Sequence, residues 1–242
     1  MTRTRIKICC MASVDEARLA IRYGADAVGL VSAMPSGPGP IDEALIAHIR
    51  ARVPPPLATF LLTCQQDASA IVEQVRRTRC NTVQICDELL RGTYDDIRAA
   101  VPGTSVVQVI HVTGGSAIDQ ARRAASNGAD ALLLDSGRPA LSVKELGGTG
   151  RVHDWAISAE LVRAVPVPVF LAGGLRAENV ADAVRTVKPF GVDVCSGVRT
   201  GGKLDEAKLA AFMHAVASAY DDSYQSSSVP NGKSARIGAG RS

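Results

Sequence analysis

The feature that most limits what this chain can fold into is an alternation repeated eight times. Short runs rich in aliphatic and β-branched residues ("IKICC", "ADAVGLV", "LATFLL", "NTVQIC", "SVVQVIHV", "ADALLLD", "PVFLAG", "GVDVCSG") are each followed by a stretch of helical spacing. After the first run, "SVDEARLAIRYG" places Val14, Ala17, Ala20 and Ile21 on one helical face. Ser13 with Glu16 forms a capping-box pattern at its start, and Gly24 is a natural stop. Further helices are predicted over 41–52, 67–78, 89–100, 116–127, after Trp155, over 177–187 and over 204–219. A long loop, 136–153, separates the sixth strand from its helix. Strands that alternate with helices predict a parallel sheet, and eight units in 242 residues suit a closed (β/α)8 TIM barrel, α/β in class. The rival, an open doubly wound sheet, usually carries a glycine fingerprint after its first strand, where this chain reads "CCMAS". One domain over 1–220 is therefore expected. The remainder, 221–242, is polar and rich in small residues, which predicts a disordered tail. An echo at Gly24, Gly128 and Gly191, each before a strand, predicts three left-handed glycine turns.

The net charge of +3 is slight, basic residues are scattered, and aromatics make up only 4% of the chain, which argues against a nucleic-acid partner. The basic-to-apolar start is too short for a signal peptide or a membrane span, so a soluble, cytoplasmic protein is expected. Six cysteines, at 9, 10, 64, 80, 86 and 195, form no CxxC pair and read as reduced thiols. The four histidines stand apart from them, so no metal site is expected.

In a (β/α)8 barrel the chemistry sits where strands end at their C-terminal side. Cys9, Asp135, "AGGL" (172–175) and "CSGV" (195–198) hold such positions, and "GGTG" (147–150) lies in the long loop. Consecutive small residues after the seventh and eighth strands let backbone N–H groups approach an anion, as phosphate sites of this fold do. Asp135 closes a wholly apolar run, where a carboxyl group tends to hold its proton, and a thiolate at Cys9 is a competent base. Each residue alone also has a plainer reading: a loop cap for Asp135 and a small buried hydrophobe for Cys9. Together, an acid and a base over an anion site suggest proton transfer on a sugar phosphate. Neighbouring strand residues point to opposite faces, so Cys10 is expected to face away from Cys9 and to pack toward the barrel wall or the first loop.

These motifs resemble the phosphoribosylanthranilate isomerase family of tryptophan biosynthesis. "KICCMAS" is similar to that family's K-[IV]-C-G start, and "DEARLAIRYGADAVGLV" to its next helix and strand. "LLLDS…GGTGRVHDW" resembles its sixth strand and loop. "LAGGLRAENVADAV" and "PFGVDVCSGV…GGKLD" resemble its last two units, so the likeness runs from Arg5 to Ala219. The resemblance implies an Amadori rearrangement of a phosphorylated ribose conjugate, without a cofactor, by a monomer or homodimer. It makes Cys9 the general base and Asp135 the general acid. It places the phosphate on Gly148, Gly173, Gly174, Ser196 and Gly197. Lys7 and Arg199 are candidate substrate contacts, Arg199 standing where the family has a glutamate.

The departures gather on the other half of the ligand. Cys10 replaces a glycine, and the second loop, "SAMPSGPGP", lacks an arginine that pairs with the anthranilate carboxylate. "VQICD" replaces "VQLHG", Gln108 takes the place of a lysine, His153 replaces a phenylalanine, and "CSGVR" stands for "SSGVE". A lost carboxylate contact costs on the order of 1.5–3 kcal/mol. Arg199, Arg138 or Arg151 are candidates to supply it from another side. A paralogue acting on a different ribose-phosphate conjugate, and a non-catalytic phosphate binder, are the alternatives; retention of both Cys9 and Asp135 speaks against the binder.

Overall fold

The computed structural model describes residues 3–147 and 150–219. Eight parallel strands close on themselves in sequence order: β1 (Arg5–Ile8), β2 (Ala27–Val31), β3 (Ala58–Thr63), β4 (Thr82–Ile85), β5 (Ser105–His111), β6 (Ala131–Asp135), β7 (Val169–Leu171) and β8 (Gly191–Val194). Around them run α1 (Val14–Arg22), α2 (Glu43–Arg50), α3 (Ala68–Thr78), α4 (Tyr94–Ala100), α5 (Ser116–Ser126), α6 (Trp155–Ala164), α7 (Val180–Val187) and α8 (Glu206–Ser218). A two-stranded ribbon, Arg199–Thr200 with Lys203–Leu204, precedes α8. The expected (β/α)8 barrel is the fold observed. The tail 221–242 and Gly148 lie outside the described residues.

The strand period of two sorts the side chains into two cores. One parity faces the helices: Ile6, Ile8, Val28, Leu30, Leu61, Val83, Ile85, Leu132 and Leu134 pack with helix residues such as Ala17, Ala20, Ile71 and Phe212. The other parity fills the ring with Ala27, Val31, Phe60, Leu62, Val107, Val109, Leu133 and Phe170. Parallel strands covered on both faces need apolar residues at nearly every position, which is why the runs read as continuous rather than alternating.

Local chemistry moves several predicted boundaries. The fourth helix starts at Tyr94 rather than near 89, because Thr93 and Asp96 form a reciprocal capping box. The segment before it is tied to the start of α3 through Ala68 N–H to Arg91 O. The seventh helix starts at Val180, since Asn179 Oδ1 accepts from Arg176 N–H and holds the preceding turn out of the helix. Asp42 caps α2, leaving Ile41 outside it. At α1 half of the capping box forms: Ser13 Oγ accepts from Glu16 N–H, while the Glu16 carboxylate goes elsewhere. Gly24 and Gly128 share φ +94°, as the echo predicts, whereas Gly191 lies inside β8, where the Phe170 ring leaves no room for a side chain.

Phe212 of α8 is fully buried in the outer core. Phe212→Ala is expected to lower unfolding free energy by about 3–5 kcal/mol, read from urea melts at unchanged slope. A loss below about 1 kcal/mol would contradict its place in the core.

Candidate active site

β1 pairs with β8 over four rungs, from Arg5–Gly191 to Ile8–Val194. Directly above this seam the chain leaves both strands, and Cys9, Cys10, Cys195 and Ser196 come out together at the C-terminal mouth. They line a cavity with Asp135, Gly173 and Gly174, with Gln84, Cys86 and Asp193 also on its wall. The second loop supplies Met34, Ser36, Gly37 and Pro38, and the sixth supplies Leu146, Gly147 and Gly150. Those two loops are latched over the mouth by Ser36 Oγ donating to Lys144 O at 2.7 Å, and Lys144 Nζ reaches Asp87 Oδ2 at 2.5 Å.

Cys9 is held inside the ring by a lack of space elsewhere. Its N–H donates to Val194 O at 2.8 Å, and its sulfur rests on Gly29, where an added Cβ would lie 2.7 Å from Sγ. Lys7, one step below on the same face, is fully buried. Its Nζ pairs with Asp193 Oδ2 at 2.8 Å and lies 5.1 Å from the Phe60 ring centroid. Burial alone would lower the Lys7 pKa, but the Asp193 charge, with the Cys9 sulfur assisting, more than offsets it and the net direction is upward. Lys7 is thus a fixed cation beneath Cys9 rather than part of the cavity lining.

Asp135 closes β6 across the ring. Its Oδ1 accepts from Ser136 N–H at 2.7 Å, and Gly147 packs against Oδ2. Burial raises its pKa above the ordinary carboxylate range, Asp193 pushes the same way, and the Ser136 N–H, His111 and Lys7 only partly offset this. Asp135 is thereby biased toward the protonated acid.

The N–H groups of Gly173, Gly174, Ser196 and Gly197 donate to no other described residue. Gly173 and Gly174 have φ of +83° and +63°, and the 151–153 segment packs so closely on them that a side chain at Gly174 would strike the backbone of Arg151 and Val152. Gly197 stands behind the lining, against the Leu175 carbonyl. Backbone donors without partners beside a cavity are suited to an anion. His153 donates to or accepts from Ser158 Oγ at 2.8 Å; burial pushes its imidazole down to about 4, so it is neutral at pH 7.

Cys10 does not face away from Cys9. It has φ +64°, a left-handed conformation, so the period of two stops at Cys9 and its side chain turns back to the cavity. There it meets Cys195 and the second loop, with Sγ donating to Pro38 O at 3.6 Å. Arg199 does not line the cavity. Its guanidinium donates to both carboxylate oxygens of Glu16, at 3.2 and 3.1 Å, to Gly202 O at 2.8 Å, and to Cys9 O and Cys10 O. Glu16 also accepts from Ala12 and Leu204 N–H, so this pair clamps the first loop to the eighth. Gln108 belongs to the helix side, bonded to Tyr94 Oη and to the carbonyls of Ile85 and Asp87.

Reasoning from sequence missed Asp193, Gln84 and Cys86. Strand parity was the available signal, since each shares the inward face with Lys7 or Asp135. Among the described residues lining the cavity there is no lysine or arginine, and both charged members, Asp135 and Asp193, are acids. No group of three or more potential metal ligands occurs among the described residues.

A closed (β/α)8 ring with a cavity at its C-terminal mouth, lined by Cys9, Asp135 and the glycines after β7, defines the class: a TIM-barrel protein with its site where barrel enzymes carry theirs. A family model described as N-(5'phosphoribosyl)anthranilate (PRA) isomerase matches residues 6–215, and the chain belongs to that family. A relative named N-(5'-phosphoribosyl)anthranilate isomerase 1, from Methanosarcina mazei, is 34% identical over 226 residues, covering 88% of this chain and 95% of its own. A Halorubrum lacusprofundi N-(5'-phosphoribosyl)anthranilate isomerase is 39% identical over 212 residues, covering 86% and 94%. The solved structure of N-(5'-phosphoribosyl)anthranilate isomerase from Pyrococcus furiosus superposes with a TM-score of 0.74 at 26% identity, covering 89% of this chain and 100% of that one.

Glu16 has its pKa lowered: burial opposes this, but the Arg199 hydrogen bond and two backbone N–H groups prevail. A depressed carboxyl stabilises the fold above its unfolded pKa of about 4.3, and that contribution fades as pH falls through the folded value. Glu16→Gln is therefore expected to cost about 1 kcal/mol in urea melts at pH 7, with the gap to wild type narrowing as pH falls into the acid range. A gap that stays constant with pH would contradict the ion pair.

Proposed function

We propose that the chain isomerises a phosphoribosyl amine to the corresponding aminoketose, with Cys9 as general base, Asp135 as general acid and the Gly173, Gly174, Ser196 and Gly197 amides holding the phosphate. The observation that carries this is the joint presence of Cys9, Asp135, Gly173, Gly174 and Ser196 on one cavity in a member of this isomerase family. Asp135 gives its proton to the ring oxygen as the C1–O bond breaks, and the nitrogen lone pair forms a C=N bond. Cys9, as thiolate, takes the proton from C2, and the released electron pair moves through C1 to nitrogen, giving an enolamine that tautomerises to the ketone. Lys7, held by Asp193 beneath Cys9, places a positive charge where the thiolate forms. Substrate entry requires the Ser36–Lys144 latch to part. No helix among the described residues is long and apolar enough to cross a membrane, and a biosynthetic enzyme of this kind is read as working in the cytoplasm.

A second reading concerns the aglycone. With no lysine or arginine on the described lining to pair with a carboxylate, the pocket favours an amine substituent that carries none. Comparing kcat/KM for the N-phosphoribosyl conjugates of anthranilate and of aniline decides this. A preference for aniline supports the second reading, and a clear preference for anthranilate removes it.

Cys9→Ala and Asp135→Asn are each expected to lower kcat by about 10²–10⁴-fold while leaving ribose 5-phosphate binding within a factor of about three. The protonated acid is the working form, so wild-type kcat is expected to fall as pH rises through the elevated Asp135 pKa. Unchanged kcat in either variant would overturn the assignment. Gly174→Ala should show the converse split, with weakened ribose 5-phosphate binding measured by calorimetry; unaltered binding would place the anion elsewhere.

A further inference from the structure

We propose that Cys10 and Cys195 are a redox site, closing a reversible disulfide across the mouth of the β1–β8 seam that slows the reaction carried by Cys9 and Asp135. The two sulfurs lie 2.7 Å apart, inside the usual contact distance of unbonded sulfur atoms. A disulfide bond is about 2.05 Å, so closure needs a shift of roughly 0.7 Å. Both residues line the cavity, where a small oxidant enters by the substrate's route.

The approach is built by the backbone. Ile8 and Val194 are rung partners, and the positive φ of Cys10 swings its side chain across the seam to the residue that follows Val194. Arg199 fixes the Cys10 carbonyl, and Gly39 of the second loop packs on the Cys10 side chain so closely that an added Cβ there would lie 2.6 Å from Cys10 Cβ. Both thiols also coincide with departures from the family pattern quoted above, glycine at 10 and serine at 195. The other cysteines have different surroundings: Cys64 Sγ donates to Ala33 O, Cys86 Sγ to Gln84 O, and Cys80 precedes β4 at the opposite end of the barrel.

The two thiols are unequal in a way that orders the chemistry. Cys195 is half-buried, and its pKa is lowered by its hydrogen bond with Cys10, aided by Arg199 against the effect of burial. Cys10 is buried, and its hydrogen bonds with Cys195 and Cys9, together with burial, hold its pKa well above the ordinary thiol value. Cys195, the more exposed of the two, meets the oxidant first as the attacking thiol, and the buried Cys10 resolves. With a low-molecular-weight disulfide as oxidant, Cys195 Sγ attacks one of its sulfurs and expels the first small thiolate. Cys10 then loses its proton and attacks Cys195 Sγ, expelling the second. Two electrons pass to the oxidant, both protein thiol protons end on the two released thiols, and a reducing thiol reverses the sequence.

The effect on turnover rests on the function proposed above. Cys10 is the peptide neighbour of Cys9 and Cys195 that of Ser196, so pulling the sulfurs together displaces the base and the anion cradle. A misplacement of about 1 Å costs on the order of 10²-fold in rate.

The full chain, reduced and then incubated with oxidised glutathione, is digested without reduction and mapped by mass spectrometry, with kcat measured before, after, and following dithiothreitol. A Cys10–Cys195 cross-linked peptide is expected, with kcat lowered at least about tenfold and restored by dithiothreitol. Cys195→Ser, checked for folding by circular dichroism, should give no cross-link and a kcat insensitive to oxidised glutathione. A Cys9–Cys10 bridge, glutathione adducts without a cross-link, or no oxidation would overturn the site. A cross-linked protein at full kcat would overturn the switch. Should the reduced protein prove inactive on phosphoribosyl amines, the isomerase reading fails while the cross-link map still tests the thiol pair.

Discussion

The parallel seam of β1 on β8 is the constraint on which the rest of the molecule depends. It closes the ring, and its rungs pair Lys7 with Asp193, so the register and the charge compensation of the barrel interior are one feature. A slip of one residue would turn Lys7 and Asp193 into the apolar helix layer, at a cost that fixes the register. Because Ile8 is held opposite Val194, the next residues of both strands emerge side by side. The proposed base, the neighbouring thiol and the start of the anion cradle are therefore neighbours in space, although about 185 residues separate them in sequence.

Within that frame the two ends of the site are in unlike environments. Asp135 is buried near another acid and is held toward its protonated form. Cys9 sits over the buried Lys7 ammonium, which is paired with Asp193. The proposed reaction needs a carboxyl group that still holds its proton, and the burial of Asp135 favours that form. The Glu16–Arg199 clamp ties the carbonyls of Cys9 and Cys10 to the eighth loop.

What could be read from the sequence divides along physical lines. The eight alternating units were legible because strand and helix periods are local, and the places of Cys9 and Asp135 were legible because both end apolar runs. The orientation of Cys10 was not, since one left-handed residue cancels the strand parity on which that reading relied. Arg199 read as a candidate ligand contact because its partner Glu16 lies 183 residues away, and Glu16 itself read as a local cap. Asp193 was hidden in an apolar run, although the register with Lys7 accounts for it. The start of α4 shifted because a Thr93–Asp96 cap outweighs the apolar spacing upstream of it.

The most direct test of the account is a crystal structure of the reduced chain with a non-isomerisable amine analogue of the ketose phosphate product. The account predicts the phosphate on the amides of Gly173, Gly174, Ser196 and Gly197, with Cys9 Sγ facing the second sugar carbon and Asp135 within hydrogen-bonding reach of the ring-derived hydroxyl. A phosphate bound away from those amides, or a sugar chain with Cys9 and Asp135 on the same side of it and out of reach, would contradict it.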